Sequence, residues 1–235
     1  MNWQDTPTFV LQHDRLNIGF RDLLAWLRKA GMTQICVIDN ASTFPPLIDF
    51  YANSEEMRGV QLVHAGSNLG YGAMWKLGLH HLDSVARVGR YILTDPDLVP
   101  DPQCPLDLVR RMHEIADRYS PAKVGPAIRI DNIPDCFAQR DHMRRCEAPY
   151  WLNRVDDVGW DAPIDTTFAI YQAGWERWPH MTHGARYIRL GFPYVVNHIP
   201  WYEDSANPTE EALYYRAHVA SGFSSSCMVP KEAAR

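Results

Sequence analysis

Tyr91-Ile92-Leu93-Thr94-Asp95-Pro96-Asp97 is an apolar run that breaks into two carboxylates one residue apart, and Leu98-Val99-Pro100 follows at once. A short apolar run bounded by turn residues reads as a strand covered on both faces. Carboxylates just past its end fall on the carboxyl edge of a sheet, where open α/β folds bind ligands. Hard oxygen ligands on a short turn suit Mg2+ or Mn2+, cations that also take oxygens from a diphosphate. A lone D-x-D is more often a solvated turn or a helix cap, so its weight depends on what surrounds it.

Upstream, the pattern alternates strand and helix. Thr8-Phe9-Val10-Leu11 is a short apolar strand, and Phe20, Leu23, Leu24 and Leu27 then recur at helical spacing, with Gly31 as the stop. Ile35-Cys36-Val37-Ile38 is a second buried strand ending at Asp39-Asn40, and Pro45-Pro46 opens a second helix through Tyr51. Val60-Gln61-Leu62-Val63 is the third strand, and Gly70 and Gly72 form a turn before a helix expected over residues 73–82. The β-α-β-α-β-α-β order over residues 8–97 predicts a parallel, right-handed, Rossmann-like sheet. Beyond it, a helix spans Leu106 to Ala116 and a strand runs from Val124 to Ile130. Residues 131–163 show poor periodicity. Strands are expected at Thr166–Tyr171 and Tyr194–Val196, and a last helix begins with Asn207 as N-cap, Pro208 and Glu210. The tail from Ser221 is polar and expected to fray. No linker or repeat divides the chain, so residues 1–235 read as one domain.

Composition excludes several classes. The chain has 235 residues, 46% hydrophobic and 22% charged, with a net charge of −5, which gives no basic surface for nucleic acid. No apolar stretch approaches the roughly 20 residues that span a bilayer, which leaves only peripheral contact with a membrane. The first residues lack the basic and apolar regions of a signal peptide. The 5 cysteines are scattered and never in C-x-x-C spacing, which argues against a disulfide framework or a structural zinc and points to a cytoplasmic location. The 8 tryptophans and 11 tyrosines favour an aromatic-lined cleft.

In a parallel sheet the four strand ends at His13-Asp14-Arg15, Asp39-Asn40, Asn68 and Asp95-Pro96-Asp97 share one edge. Val37-Ile38-Asp39-Asn40-Ala41-Ser42-Thr43, Gly66-Ser67-Asn68-Leu69-Gly70 and Leu93-Thr94-Asp95-Pro96-Asp97 follow in that order. On these residues the chain resembles the GT-A glycosyltransferases, most closely the family 2 type, across residues 8–100. The resemblance implies a GT-A, Rossmann-like, mostly parallel sheet flanked by helices. It also implies a nucleotide-binding half over residues 1–100 and an acceptor-binding half over 101–225. The expected partners are a nucleotide-sugar donor, with UDP favoured, and a carbohydrate, lipid-linked or protein acceptor.

By position, the resemblance gives Asp39 and the adjoining Asn40 to the nucleotide base, Arg15 to the nucleotide, and Asn68 to the cleft wall. Asp97 becomes a direct ligand of Mn2+ or Mg2+, Asp95 a ribose or bridging contact and second metal candidate, and His198 a further metal ligand from the second half. Each has a plainer alternative: Asp39-Asn40 as a strand-to-loop turn, Arg15 as a surface charge, Asn68 as a residue tolerating a left-handed turn, His198 as a structural histidine. Trp201 and Tyr202, beside His198, are the expected sugar or acceptor platform.

An inverting transfer, the outcome the resemblance favours, needs a carboxylate base. Asp165, expected to open the strand Thr166–Tyr171, is the first candidate, with donor-sugar contact or strand capping as its alternatives. Glu176, Glu203-Asp204, Asp156-Asp157 and Asp161 are the others. A non-catalytic binding module on the same scaffold is the competing reading. A nucleotidyltransferase would need a Gly-rich loop with Arg and Lys after the first strand, where Gln12-His13-Asp14-Arg15 stands instead.

Overall fold

The computed structural model describes residues 2–164, 168–173 and 186–219. Its frame is a ten-stranded mixed sheet. The first half alternates as expected: β1 (Thr8–Gln12), α1 (Phe20–Lys29), β2 (Ile35–Asp39), α2 (Pro45–Asn53), β3 (Gln61–His64), then short helices α3 (Ala73–Lys76) and α4 (Asp83–Val88), and β4 (Arg90–Thr94). There follow β5 (Leu98–Pro100), α5 (Leu108–Tyr119), β6 (Lys123–Ile128), α6 (Arg140–Glu147), the hairpin β7 (Arg154–Val155) and β8 (Gly159–Asp161), β9 (Ala169–Gln172), β10 (Tyr187–His198) and α7 (Glu210–His218). The spatial order is β3-β2-β1-β4-β9-β6-β10-β8-β7, with β5 pairing β10. Strands β1–β4, β6, β7 and β10 run one way and β5, β8 and β9 the other. This is the expected fold class: one domain built on a mostly parallel sheet with helices on both faces.

All five residues of β1 and of β2 are buried because helices cover both faces. The alternation along β1 divides the core. Val10 joins Val37 and Ile92 under α1, α2 and α5, through Leu23, Leu24, Leu27, Leu47 and Met112. Phe9 and Leu11 join Cys36, Tyr91 and Leu93 on the other face, under Ala73, Met74 and Val85 of α3 and α4. Helices α1 and α2 therefore lie on one face while α3 and α4 cross back on the other. Strand order reverses between β1 and β4, which opens a crevice at their carboxyl ends.

Several local expectations shift. The single helix over residues 73–82 is broken, because Gly78 takes the left-handed conformation (φ 69°) and starts a second, 3-10 turn. Tyr194–Val196 is the end of a twelve-residue strand, β10, whose pairing with β6 is interrupted by a bulge between Leu190 and Val195. The expected strand Thr166–Tyr171 is described as β9 from Ala169; Asp165, Thr166 and Thr167 lie outside the described residues. The last helix is capped two residues later than expected: Thr209, not Asn207, accepts the N–H of Ala212 through its hydroxyl. Asn207 instead donates to Asp204. The tail from Ser221 lies outside the described residues. Among the described residues no helix is long and apolar enough to cross a membrane.

Candidate functional site

The crevice between β1 and β4 holds the D-x-D turn, and local geometry fixes where its second carboxylate stands. Strand β5 leaves the turn and pairs antiparallel with the end of β10, so Leu98 lies opposite His198. Ile199 donates its N–H to the Asp97 carbonyl at 2.9 Å. From the other side Gly19 presses on the turn. A Cβ on Gly19 would lie 2.6 Å from the Asp97 Cα, and its φ of 101° suits glycine alone. The Asp97 carboxylate is thereby set with one oxygen 3.7 Å from Arg15 Nε and the other 3.8 Å from His198 Nε2.

Arg15 is not a surface charge. It is 5% exposed, and its guanidinium lies 3.7 Å over the ring of Tyr215. Among the described residues its buried Nε has no hydrogen-bond partner. Burial lowers the proton affinity of His198 and so favours its neutral imidazole form. Among the described residues its Nδ1 also has no hydrogen-bond partner, and its ring meets that of Trp201 at 4.8 Å. Glu203, in the segment after His198, has its pKa raised by burial, against the lowering influence of Arg15 and Arg216. Arg216 approaches it to 3.8 Å.

The ends of β1 and β2 are knitted together. Asp14, fully buried in a left-handed conformation (φ 49°), accepts the N–H groups of Thr43 at 2.6 Å and Phe44 at 2.8 Å. His13 Nδ1 donates to the Asn40 carbonyl at 3.0 Å. The Asn40 side chain donates to Gly70 O and accepts from Leu69 N, so it ties the loop after β3 to the end of β2. Asp39 is 3% exposed, and its oxygens face Ser42 N, the Tyr51 hydroxyl and Nδ1 of the exposed His64. Asn68 accepts from Gly70 N at 2.9 Å, a local turn bond, but is not itself left-handed as its plainer reading required; the positive φ falls on Gly66 and Gly70.

The structure thus brings Arg15, Asp97 and His198 together, and Asp95 lies near enough to act electrostatically on Tyr215. Among the described residues no three His, Cys, Asp or Glu side chains gather around one point, so Asp95, Asp97 and His198 do not form a protein-only metal cage. Trp201 departs from the open platform expected of it. It is 5% exposed, belongs to the core and backs the imidazole of His198. The Tyr202 hydroxyl sits between Asn132 at 2.6 Å and Asn197 at 2.9 Å. Asp165, Glu176, Trp175 and Trp178 lie outside the described residues.

Sequence reading missed what α7 contributes. Glu211, 4% exposed, reaches back about 195 residues to accept the N–H groups of Leu16, Asn17 and Ile18. The Tyr214 hydroxyl bonds Thr43, and the Tyr215 ring underlies Arg15. No local signal marks these contacts, since each joins residues far apart in the chain.

No protein-family model matches the chain, and no curated protein does. Solved structures do resemble it at low identity. HddC from Yersinia pseudotuberculosis, complexed with GMP-PN, aligns over 86% of this chain and 98% of its own at 13% identity, with a TM-score of 0.49. A second structure of HddC covers 79% of this chain and 90% of its own, again at 13% identity and a TM-score of 0.49. Glucosyl-3-phosphoglycerate synthase from Mycobacterium tuberculosis, in complex with Mn2+, UDP and glucosyl-3-phosphoglycerate, covers 72% of this chain and 57% of its own at 13% identity, with a TM-score of 0.40. Likenesses of this degree carry neither a substrate nor a residue role over to this chain.

Proposed function

We propose that this protein is a glycosyltransferase that takes a sugar from a nucleotide-diphosphate donor, assisted by Mn2+ or Mg2+. One observation carries the reading: at the reversal point of the sheet, a carboxylate stands between a buried guanidinium at 3.7 Å and a neutral imidazole at 3.8 Å. A buried arginine with an unpartnered Nε suits a phosphate oxygen. A carboxylate and a neutral imidazole suit a divalent cation, and Mg2+ and Mn2+ sites commonly complete their shell with substrate phosphates and water. Asp97 and His198 therefore fit a cation shared with a diphosphate.

In this reading Asp39 and Asn40 define the base end of the nucleotide cleft, with Asn68 shaping its wall. The exposed His64 over Asp39 is the group that an incoming base displaces. Arg15 faces the diphosphate and offsets its charge. Asp97 and His198 hold the cation, with Asp95 toward the ribose. When bound, the cation neutralises the charge that builds on the departing diphosphate. UDP is the favoured nucleotide and inversion the favoured outcome, both from the family 2 resemblance. The acceptor is a glycan, a lipid-linked saccharide or a protein, entering from the side of Tyr202. Glu203 is the acceptor base we favour, because burial raises its proton affinity against the lowering influence of Arg15 and Arg216; Asp165 is the other candidate.

Thermal shift and donor hydrolysis across nucleotide sugars, with and without Mn2+, test the proposal. A donor at 100 times its Kd stabilises the protein by about 2.7 kcal/mol. Asp97→Asn is expected to abolish turnover and the Mn2+-dependent part of that stabilisation while keeping the fold. Stabilisation without any turnover points to a binding module instead. A parent that no nucleotide sugar stabilises contradicts the reading.

A further inference from the structure

Glu211 places a carboxylate in the interior, 4% exposed, and surrounds it with backbone donors from the other end of the chain. Its Oε1 accepts Leu16 N at 2.8 Å and Ile18 N at 3.0 Å, and its Oε2 accepts Asn17 N at 2.8 Å. Three successive N–H groups converging on one anion form a nest, and they fix the turn that immediately follows Arg15. The residue before that turn is fixed as well, because Gln12 Oε1 accepts the Arg15 N–H at 3.1 Å.

One helical turn beyond Glu211, on the same face of α7, Tyr215 carries the Arg15 guanidinium on its ring at 3.7 Å. The guanidinium is thus held from both ends, by its backbone and by its face. Left to itself, an arginine beside an aspartate closes to a hydrogen-bonded pair at about 2.7–2.9 Å. Here the separation stays at 3.7 Å and, among the described residues, the buried Nε has no hydrogen-bond acceptor. A buried donor left unmade is costly, and an anionic oxygen from a ligand removes that cost.

We propose that Glu211 is a positioning residue for the nucleotide site: its carboxylate fixes the Leu16–Ile18 turn so that Arg15, seated on Tyr215, presents to a diphosphate beside Asp97 an Nε that no described residue hydrogen-bonds. The inference rests on the nucleotide-diphosphate reading above and adds to it the role of α7. It separates phosphate recognition, which depends on Glu211 and Tyr215, from base recognition at Asp39, which neither residue touches.

The test is calorimetric titration of UDP, uridine, GDP and guanosine, with Mn2+, into the parent, Glu211→Gln, Tyr215→Leu, Arg15→Ala and the double variant Glu211→Gln/Arg15→Ala. Circular dichroism monitors the fold. The parent is expected to bind one diphosphate more tightly than its nucleoside. Glu211→Gln is expected to weaken that diphosphate by about tenfold, the equivalent of about 1.4 kcal/mol, while leaving the nucleoside unchanged. The double variant is expected to bind no more weakly than Arg15→Ala alone. Equal loss of nucleoside and diphosphate, additivity with Arg15→Ala, or undiminished diphosphate affinity in folded Glu211→Gln overturns the inference while leaving the functional reading in place. If Glu211→Gln does not fold, Tyr215→Leu carries the same comparison, and unchanged diphosphate affinity there overturns it. A parent that binds neither diphosphate overturns the functional reading, and the inference with it.

Discussion

Asp14→Ala should unfold this protein far more easily than a substitution at an exposed loop residue. Helix α2 begins at Pro45 with Phe44 as its N-cap, and Phe44 has no side chain able to cap it. Asp14 supplies the cap from the end of β1, accepting Phe44 N at 2.8 Å and Thr43 N at 2.6 Å. Removing the carboxylate strands the buried Phe44 N–H at a cost of about 1–3 kcal/mol. The Thr43 N–H is at an exposed residue and recovers a water, so it adds little. Losing an anion at the helix N-terminus adds about 0.3–1 kcal/mol. Alanine at a φ of 49° adds about 1–2 kcal/mol, a strain that aspartate and asparagine tolerate. The total is about 2–6 kcal/mol for Asp14→Ala and, because the amide oxygen still accepts from Phe44, about 1 kcal/mol for Asp14→Asn. Urea unfolding followed by tryptophan fluorescence measures both, as a shift in midpoint at constant slope. The reasoning is refuted if Asp14→Ala lies within about 0.5 kcal/mol of the parent, the ordinary range of surface substitutions.

Two further predictions follow from titratable groups. His113 is nearly buried between Arg90, whose guanidinium faces Nδ1 at 3.1 Å, and the Thr6 hydroxyl at 2.8 Å from Nε2, and burial lowers its pKa from 6.5 to about 4. Between pH 6.5 and 4 the unfolded chain binds the proton and the folded chain does not, so stability is full above 6.5 and falls with pH across that window, by at most about 3 kcal/mol. Denaturation midpoints of the parent and His113→Gln across that range check this, and a variant with an undiminished slope speaks against it. Glu203→Gln should lower turnover by about 10²–10⁴-fold with donor affinity retained, and remove an acid limb of the rate profile lying above the ordinary carboxylate range. If Glu203→Gln turns over normally and Asp165→Asn does not, the base is Asp165.

The first half was legible because its signals are local. Buried runs at Thr8, Ile35 and Tyr91, each ending in polar residues, define parallel strands whose ends must share an edge. The helix face of Phe20, Leu23, Leu24 and Leu27 is buried as its spacing requires. Arg15 and Asp97 could be placed on that edge from the strand pattern, but not their mutual distance. That distance depends on Gly19 pressing on the D-x-D turn and on β5 pairing with β10. His198 is named only by the family resemblance, while the bulged, twelve-residue extent of β10 is hidden by Gly191 and Pro193, which interrupt the run. Trp201 looked like a platform because sequence proximity to His198 says nothing of which face is covered. Glu211 and Tyr215 read as ordinary helix residues, since their partners lie near the other end of the chain.

The most direct test of the account is a crystal structure of the protein soaked with UDP and, separately, GDP, each with Mn2+. One nucleotide is expected at the carboxyl ends of β1, β2 and β4, its base toward Asp39, its diphosphate within hydrogen-bond reach of Arg15, and Mn2+ beside that diphosphate and Asp97. A nucleotide bound elsewhere on the molecule, or a diphosphate turned away from Arg15 and Asp97, contradicts it.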